Sequence, residues 1–521
     1  VPHPVRVLMA GDERQPPAAG AASAAVSTSG EVAGARTRWV FAGQLGPLFD
    51  DGGPMMIVEA RSVFGRRPMH RAKAHLLLSA MRHRAAELGE RVEYHRVERY
   101  SQAVDGHDDL EVIDPTSWAA RRFVRRRGIV VLPSRGFVTS EADFAAWAAT
   151  RAGKRLLMED FYRTVRERTG LLMRGDQPEG GRFNYDHDNR TPPPKNAARL
   201  GLPDPWWPVE DEIDQEVRAD LDAWQRDGHV TLVGDDGPRR FAATHAEAEH
   251  ALADFVESRL NDFGPFEDAM LDGDWTMAHS LLSAPMNLGL LDPLQVVETV
   301  VAEYHAGNAP LSSVEGFTRQ IIGWRDYVWH LYWHLGEGYR TGSNALGAHQ
   351  PLPEAFRHLD PAAIEANCLH ETIDGMRRHG WAHHIQRLMV LGNWALQHGY
   401  DPVALNDWFV DMFVDGTPWV MPANVIGMSQ HADGGIVATK PYASGGAYIA
   451  KMSDYCGSCV FDPKVRLGEN ACPFTAGYWA FLDRVEPRIR GNHRMAQPLA
   501  GLRRLADRDA VVDQERHRER W

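Results

Sequence analysis

The residues best equipped for chemistry are the four cysteines, Cys368, Cys456, Cys459 and Cys472, spaced C-x87-C-x2-C-x12-C. A C-x-x-C turn offers two thiolates from one tight bend, and two further sulfurs complete a set that suits either Zn²⁺ or a [4Fe–4S] cluster. One cage uses every cysteine, and two structural disulfides are disfavoured in a reducing cytoplasm. Pro473 follows Cys472 directly, as at some iron–sulfur cysteines, but spacing by itself leaves iron and zinc both open. A second candidate is the adjacent pair His383-His384. Imidazoles gain and lose a proton near neutral pH and so serve as acid and base, although two neighbouring His on a helix are more often surface residues. Ser280 and Ser283 suit a phosphate at a helix start, or simply a helix cap. Sixteen Trp is roughly twice average usage; stacking surfaces, electron transfer or an aromatic core would each account for it.

Two kinds of architecture must position these groups. Short apolar runs at Trp39-Val-Phe41, Met55–Val58, Val92–Val97 and Gly128–Leu132 alternate with the 3.6-residue apolar spacing of a helix at Ala72–Leu88. This alternation predicts a Rossmann-like parallel sheet with a ligand site at its strand ends. Gly170–Pro208 is dense in Gly, Pro, Asn and Asp and reads as a connection. From about Glu212 to Leu502 the pattern is helical, punctuated at Asp262-Phe-Gly-Pro265, Ala284-Pro285 and Asp292-Pro293. The expected organisation is a disordered Ala/Gly/Pro/Ser-rich extension over 1–36, an α/β domain over 37–165, a linker over 166–210 and an all-α domain over 211–521. Val1 is read as an alternative start codon.

A formal net charge of −13 argues against a protein that coats nucleic acid by bulk electrostatics. Local basic clusters at Arg121–Arg127 and Arg488–Arg520 are either a binding face or solvated surface. No apolar run reaches membrane-spanning length and no signal segment opens the chain, so a cytoplasmic monomer without membrane contact is expected.

Longer blocks add specificity. Ala278-His-Ser-Leu-Leu-Ser-Ala-Pro-Met-Asn-Leu-Gly289, Glu315-Gly-Phe-Thr-Arg-Gln-Ile-Ile-Gly-Trp-Arg-Asp-Tyr327 and Gly380-Trp-Ala-His-His-Ile-Gln-Arg-Leu-Met389 are followed by Asp407-Trp-Phe409, Val414-Asp-Gly416, Pro422–Met428 and Lys440–Tyr448, which lead into Cys456-Gly-Ser-Cys459. The succession resembles the photolyase/cryptochrome family, and specifically its iron–sulfur bacterial branch of (6-4) photolyase type. Gly180-Gly-Arg-Phe-Asn-Tyr-Asp-His-Asp-Asn-Arg190 extends the likeness into the first half, so that about residues 38–500 are included.

The resemblance implies FAD held by Ser280, Ser283, Gln320, Arg325, Arg387, Asp415 and Asn424, with Gln320 standing where a Glu is common. It decides for [4Fe–4S] over zinc. It implies a 6,7-dimethyl-8-ribityllumazine antenna contacted by Gln44 and Glu59, although the usual Gly-Asp-Gln-Leu is here Ala42-Gly-Gln-Leu45. Trp408 is implied in electron transfer, whereas the Trp that relatives carry between Pro353 and Cys368 is missing. The expected activity is light-driven repair of (6-4) photoproducts in UV-damaged DNA, with His384 as proton donor, His383 as second choice, and Tyr442 and Tyr448 lining the lesion pocket or relaying electrons. The alternative is a blue-light photoreceptor with the same cofactors and little repair. A primase-like iron–sulfur module would explain the cysteines but not the flavin blocks.

Overall fold

Strands that are apolar on both faces leave water only when both faces are covered, and Met55–Ala60 is buried at every position. The computed structural model describes residues 36–521; the expected extension lies, apart from Arg36, outside them. Strands β1 (Thr37–Val40), β2 (Met55–Ala60), β3 (Val92–Val97), β4 (Leu110–Ile113) and β5 (Val130–Leu132) form one sheet in the order β3-β2-β1-β4-β5. Every pair is parallel. Alternation sends Met55 and Ile57 toward a core shared with Leu76, Ala80 and the helical half, while Met56 and Val58 pack with Trp39, Val112 and Val124. The strand order reverses about β1, so the loops after β1 and β4 open a crevice of the kind where such sheets take ligands. Sequence patterning passes over β4, in which Glu111 interrupts the apolar run.

The helical half departs from its turn signals in two places. A helix spans Leu260–Phe266 straight through Gly264-Pro265. Pro265 has no N–H for the Asn261 carbonyl; instead the Ser313 hydroxyl donates to that carbonyl at 2.9 Å and accepts the Gly264 N–H at 3.0 Å. Pro285 likewise falls inside the short helix Ser283–Asn287, in its first turn, where no amide bond is lost. Asp292-Pro293 does start a helix, the Asp292 carboxylate accepting the Leu294 N–H. Three stretches widen into π-helical turns: Arg319–Arg325, Gln386–Gly392 and Pro422–Ser429. Such turns are rare and gather at functional sites.

The two halves are bolted together. Lys73, on the helix Arg71–Leu88, is buried and donates to the carbonyls of Val410 and Gly416, the latter at 2.6 Å; burial pulls its pKa down to about 8. Asp326 accepts the backbone N–H groups of Val138 and Thr139 at 2.8 and 3.0 Å. The segment over 166–210 is pinned to the helices by Tyr185 N–H on Glu315 (2.9 Å), Asn189 Nδ2 on the Ser312 carbonyl (3.0 Å) and Thr191 N–H on the Pro265 carbonyl (3.0 Å).

Candidate functional site

Asp415 is the hub of the helical half. Its carboxylate receives two parallel bonds from Arg387, at 2.9 and 3.0 Å, and one from the Ser283 hydroxyl at 2.7 Å. Its carbonyl accepts from Asn287 Nδ2 at 3.0 Å. Three separate segments, the one carrying Ser283 and Asn287 more than a hundred residues from the other two, thus meet at one anion. The chain before Ser283 is strained, with Met277 and Leu281 at φ 46° and 58°, a conformation non-glycine residues adopt only when held. Ser280 lies between them, its Oγ accepting the Leu282 N–H at 3.4 Å. Arg325, in the first π turn, donates to the Gly136 and Met286 carbonyls at 2.8 and 3.3 Å, and burial lowers its pKa to about 10. Gln320 is half-buried on the same turn. Asn424, in the third π turn, donates to the Val420 carbonyl of its own helix at 2.9 Å.

Beside this hub lie three imidazoles. His383 stacks on His279 with ring centroids 4.6 Å apart, His384 stands edge-on to His279 at 5.5 Å, and ring nitrogens from all three lie within 4.8 Å of one another. Both nitrogens of His383 and Nε2 of His279 are buried without a hydrogen-bond partner. Burial, followed by the neighbouring imidazoles, pushes His383 well below the ordinary histidine range; burial and then His384 do the same to His279. His384 differs. Burial opposes its charge, but Asp268 at 3.3 Å and Glu267 behind it outweigh burial, and its pKa rises. His384 therefore takes up a proton more readily than its neighbours. Burial, then Asp268, raises the Tyr448 phenol, and burial, then Asp186, raises that of Tyr442; the charges of Asp186 and Arg190 act on both.

The four cysteines line one pocket with Gly446 and Tyr455. Cys368 sits in the first turn of the helix Asn367–His379 and Cys472 at the N-cap of Pro473–Ile489, where free backbone N–H groups favour negative sulfur. Burial, then the charges of the other cysteines, raises Cys368 well above the usual thiol range and Cys456 to about 12. A Cβ on Gly446 would fall 2.7 Å from Cys472 Sγ. Among the described residues, the trios of His, Cys, Asp or Glu whose donor atoms all lie within 4.8 Å contain no cysteine. Hydrogen bonds join this pocket to the backbone that carries His383: Gln386 donates to the Tyr455 hydroxyl at 2.9 Å and accepts the backbone N–H of His383 at 3.2 Å.

The family pattern described as deoxyribodipyrimidine photo-lyase-related protein matches residues 43–229. A protein of Agrobacterium fabrum named (6-4) photolyase is 43% identical over 463 residues, covering 84% of this chain and 88% of its own. The chain belongs to the photolyase family. A bacterial class III photolyase from Agrobacterium tumefaciens shares the fold, with a TM-score of 0.55 at 15% identity over 89% of this chain and 100% of its own. So does a Synechocystis cryptochrome, with a TM-score of 0.52 at 12% identity over 94% and 99%.

In this member of the photolyase family the α/β groups are engaged from within. Gln44 Nε2 donates to the Ile113 carbonyl at 3.0 Å, tying the loop after β1 to β4. Glu59 is buried, with its carboxylate bonded to Arg82 at 2.9 and 3.0 Å and to the Tyr94 hydroxyl at 2.6 Å. Trp408 is buried and donates to the Phe356 carbonyl at 2.8 Å. Sequence reasoning passed over His279, Asp268 and Glu267. His279 stood inside a quoted block next to Ser280 and was the one signal available; the two acids carry none.

Proposed function

We propose that this chain is a light-driven DNA repair enzyme of the (6-4) photolyase type. The carrying observation is the convergence of Ser283, Arg387 and Asp415 beside a proton-holding His384, on a chain whose relative is named for that activity. FAD fits the helical half: the strained backbone around Ser280, the unpartnered nitrogens of His279, His383, Arg325 (Nε) and Trp381, and the three π turns that carry Gln320, Arg325, Arg387 and Asn424 all offer polar groups that the protein itself leaves unused. Bound there, FAD supplies photoexcited electron donation to the lesion and takes the electron back. Arg387, fixed by Asp415, orients the cofactor. The damaged bases, poorly stacked and so cheaply flipped, meet the rim of Tyr442, Tyr448 and Arg190. His384 donates the proton that lets oxygen return to the 5′ base, and Asp268 keeps that proton in place. His383 and His279, held neutral, accept hydrogen bonds without competing for it.

For the cysteine pocket a [4Fe–4S] cluster suits better than zinc. Tetrahedral zinc with a Zn–S bond of about 2.3 Å draws its sulfurs to about 3.8 Å from one another, tighter than these sulfurs lie. The cluster would tie the helix Asn367–His379 to Cys456 and Cys472. A lumazine antenna is proposed at the crevice beside Gln44, with Glu59 ordering its wall through Arg82 and Tyr94.

The experiment is repair of a (6-4)-containing oligonucleotide by protein with pre-reduced FAD, parent against His384→Asn. The variant should keep its flavin and iron yet lose a factor of about 10² to 10⁴ in repair. Equal repair would remove His384 as proton donor. A parent that binds FAD, photoreduces and repairs nothing would make the chain a blue-light receptor.

A further inference from the structure

The stretch from Pro353 to Cys368 has no Trp; its aromatic is Phe356, fully buried. Trp408 lies against it, with ring centroids 5.4 Å apart and its indole N–H on the Phe356 carbonyl at 2.8 Å. Phe356 also meets Trp521, at 6.3 Å. Trp521 stacks on Trp394 at 5.0 Å with the planes 29° apart. Trp394 and Phe356 are sealed from solvent, whereas Trp521 is half-buried and reaches it. Inward, Trp408 meets Phe413 at 6.0 Å, and the Arg387 guanidinium lies 4.2 Å over the Phe413 ring. Rings in contact at these separations run without a break from a solvent-touching indole to the Arg387–Asp415 hub.

We propose that Trp521, stacked on Trp394, is the outer electron donor that refills Trp408 across Phe356. The inference rests on the flavin reading of the site. Indole loses an electron far more readily than phenyl, so Phe356 serves as the bridge and the indoles as the stations. Stacking spreads the resulting positive charge over two rings. Trp521 is also held in place: its carbonyl accepts the Glu365 N–H at 2.7 Å, and Arg520 pairs with the Glu365 carboxylate. The balance is one electron throughout. With FAD bound, Trp408 would give one electron to the photoexcited oxidised flavin, and Trp521 would return one electron to the Trp408 radical cation. The Trp521 radical then loses its indole proton to water. A thiol in solution restores it by giving one electron and one proton, and is itself oxidised.

The test is flash photolysis of the holoprotein with oxidised FAD, following the indole radical and the yield of light-driven flavin reduction in the presence of dithiothreitol. In Trp521→Phe the radical stays on Trp408 and recombines, so its lifetime and the photoreduction yield should both fall by about tenfold or more. Trp521→Tyr should restore much of the yield. Repair with chemically pre-reduced FAD, iron content and melting temperature should match the parent, which a purely structural role for Trp521 would not allow. Because Trp521 packs in the same apolar cluster as Cys368, the unaltered protein supplies a second reading: its radical should decay faster as thiol concentration rises, since the radical resides on an indole that solvent reaches. Parent-like kinetics in a folded Trp521→Phe, or a parent radical indifferent to thiol, would overturn the proposal. Protein that binds no FAD would instead overturn the flavin reading.

Discussion

Glu267 is a carboxyl group in the wrong place for a charge. It is 3% exposed, its Oε2 has no partner, and its nearest cation, Arg319 Nη2, stays 3.9 Å from Oε1. Burial raises its pKa from 4.5 to about 7; His384 and Arg319 pull it down, Asp268 and Asp186 push it up. The unfolded chain ionises this group near 4.5 and the native protein near 7, so between those values the native state holds the extra proton. Stability must therefore fall as pH rises through that window and level off above it. At 1.36 kcal/mol per unit, the difference amounts to about 3 kcal/mol. Glu267→Gln keeps the volume and cannot ionise. Any cost of the amide's own hydrogen bonds is the same at every pH, so the gap between variant and parent isolates the titration. Urea midpoints measured anaerobically from about pH 5 to pH 8 should show the variant gaining steadily on the parent and the gain flattening above 7. In parallel, a protonated-carboxyl infrared band should titrate near neutrality in the parent and be missing in the variant. A gap that does not change with pH would mean Glu267 is ionised throughout and that Arg319 compensates it fully, contrary to the distance.

Asp415→Ala leaves Arg387, 18% exposed at its side chain, without its carboxylate and Ser283 without its acceptor. Breaking a buried pair from one side costs about 3–5 kcal/mol, so thermal stability and flavin content should both drop, with Asp415→Asn milder; a stable, fully flavinated Ala variant would dissolve the hub. Gly446→Ala places a methyl 2.7 Å from Cys472 Sγ and should yield protein short of iron, a result that full iron per chain would contradict. Glu59→Gln removes the charge that two Arg82 bonds rely on. A lowered melting temperature with repair under saturating light intact is expected, and lost lumazine at unchanged stability would make Glu59 a ligand contact instead of a wall.

What the sequence made legible was local. The C-x-x-C turn, the adjacent histidines and the apolar run Met55–Val58 of β2 announce themselves within a few residues, because thiolate geometry, helix spacing and two-sided burial act over that range. The charges that tune the site do not. Asp268 meets His384 across 116 residues and Lys73 meets Gly416 across 343, and neither acid nor lysine differs by its neighbours from any solvated one. The basic run at Arg121–Arg127 shows the same limit from the other side. Arg121 is buried against Asp114, Glu141 and the face of Trp333, while Arg122 and Arg127 pair with Glu337 and Asp105, so most of a cluster that reads as a binding face is spent on internal neutralisation.

Aromatic residues obey that rule most sharply. An indole on its own sequence segment is core or cofactor partner with no way to choose, since burial and electron transfer ask for the same ring. The missing Trp ahead of Cys368 is visible as a gap, yet what stands beside Phe356 is decided by packing: Trp521 is brought there by the Glu365 and Arg520 contacts, with Trp394 already buried behind it. A chain that loses an aromatic from one strand of sequence can regain the contact from another without leaving a motif. For a function carried by ring-to-ring contact, the order of rings in space, and not their order in the chain, sets the path.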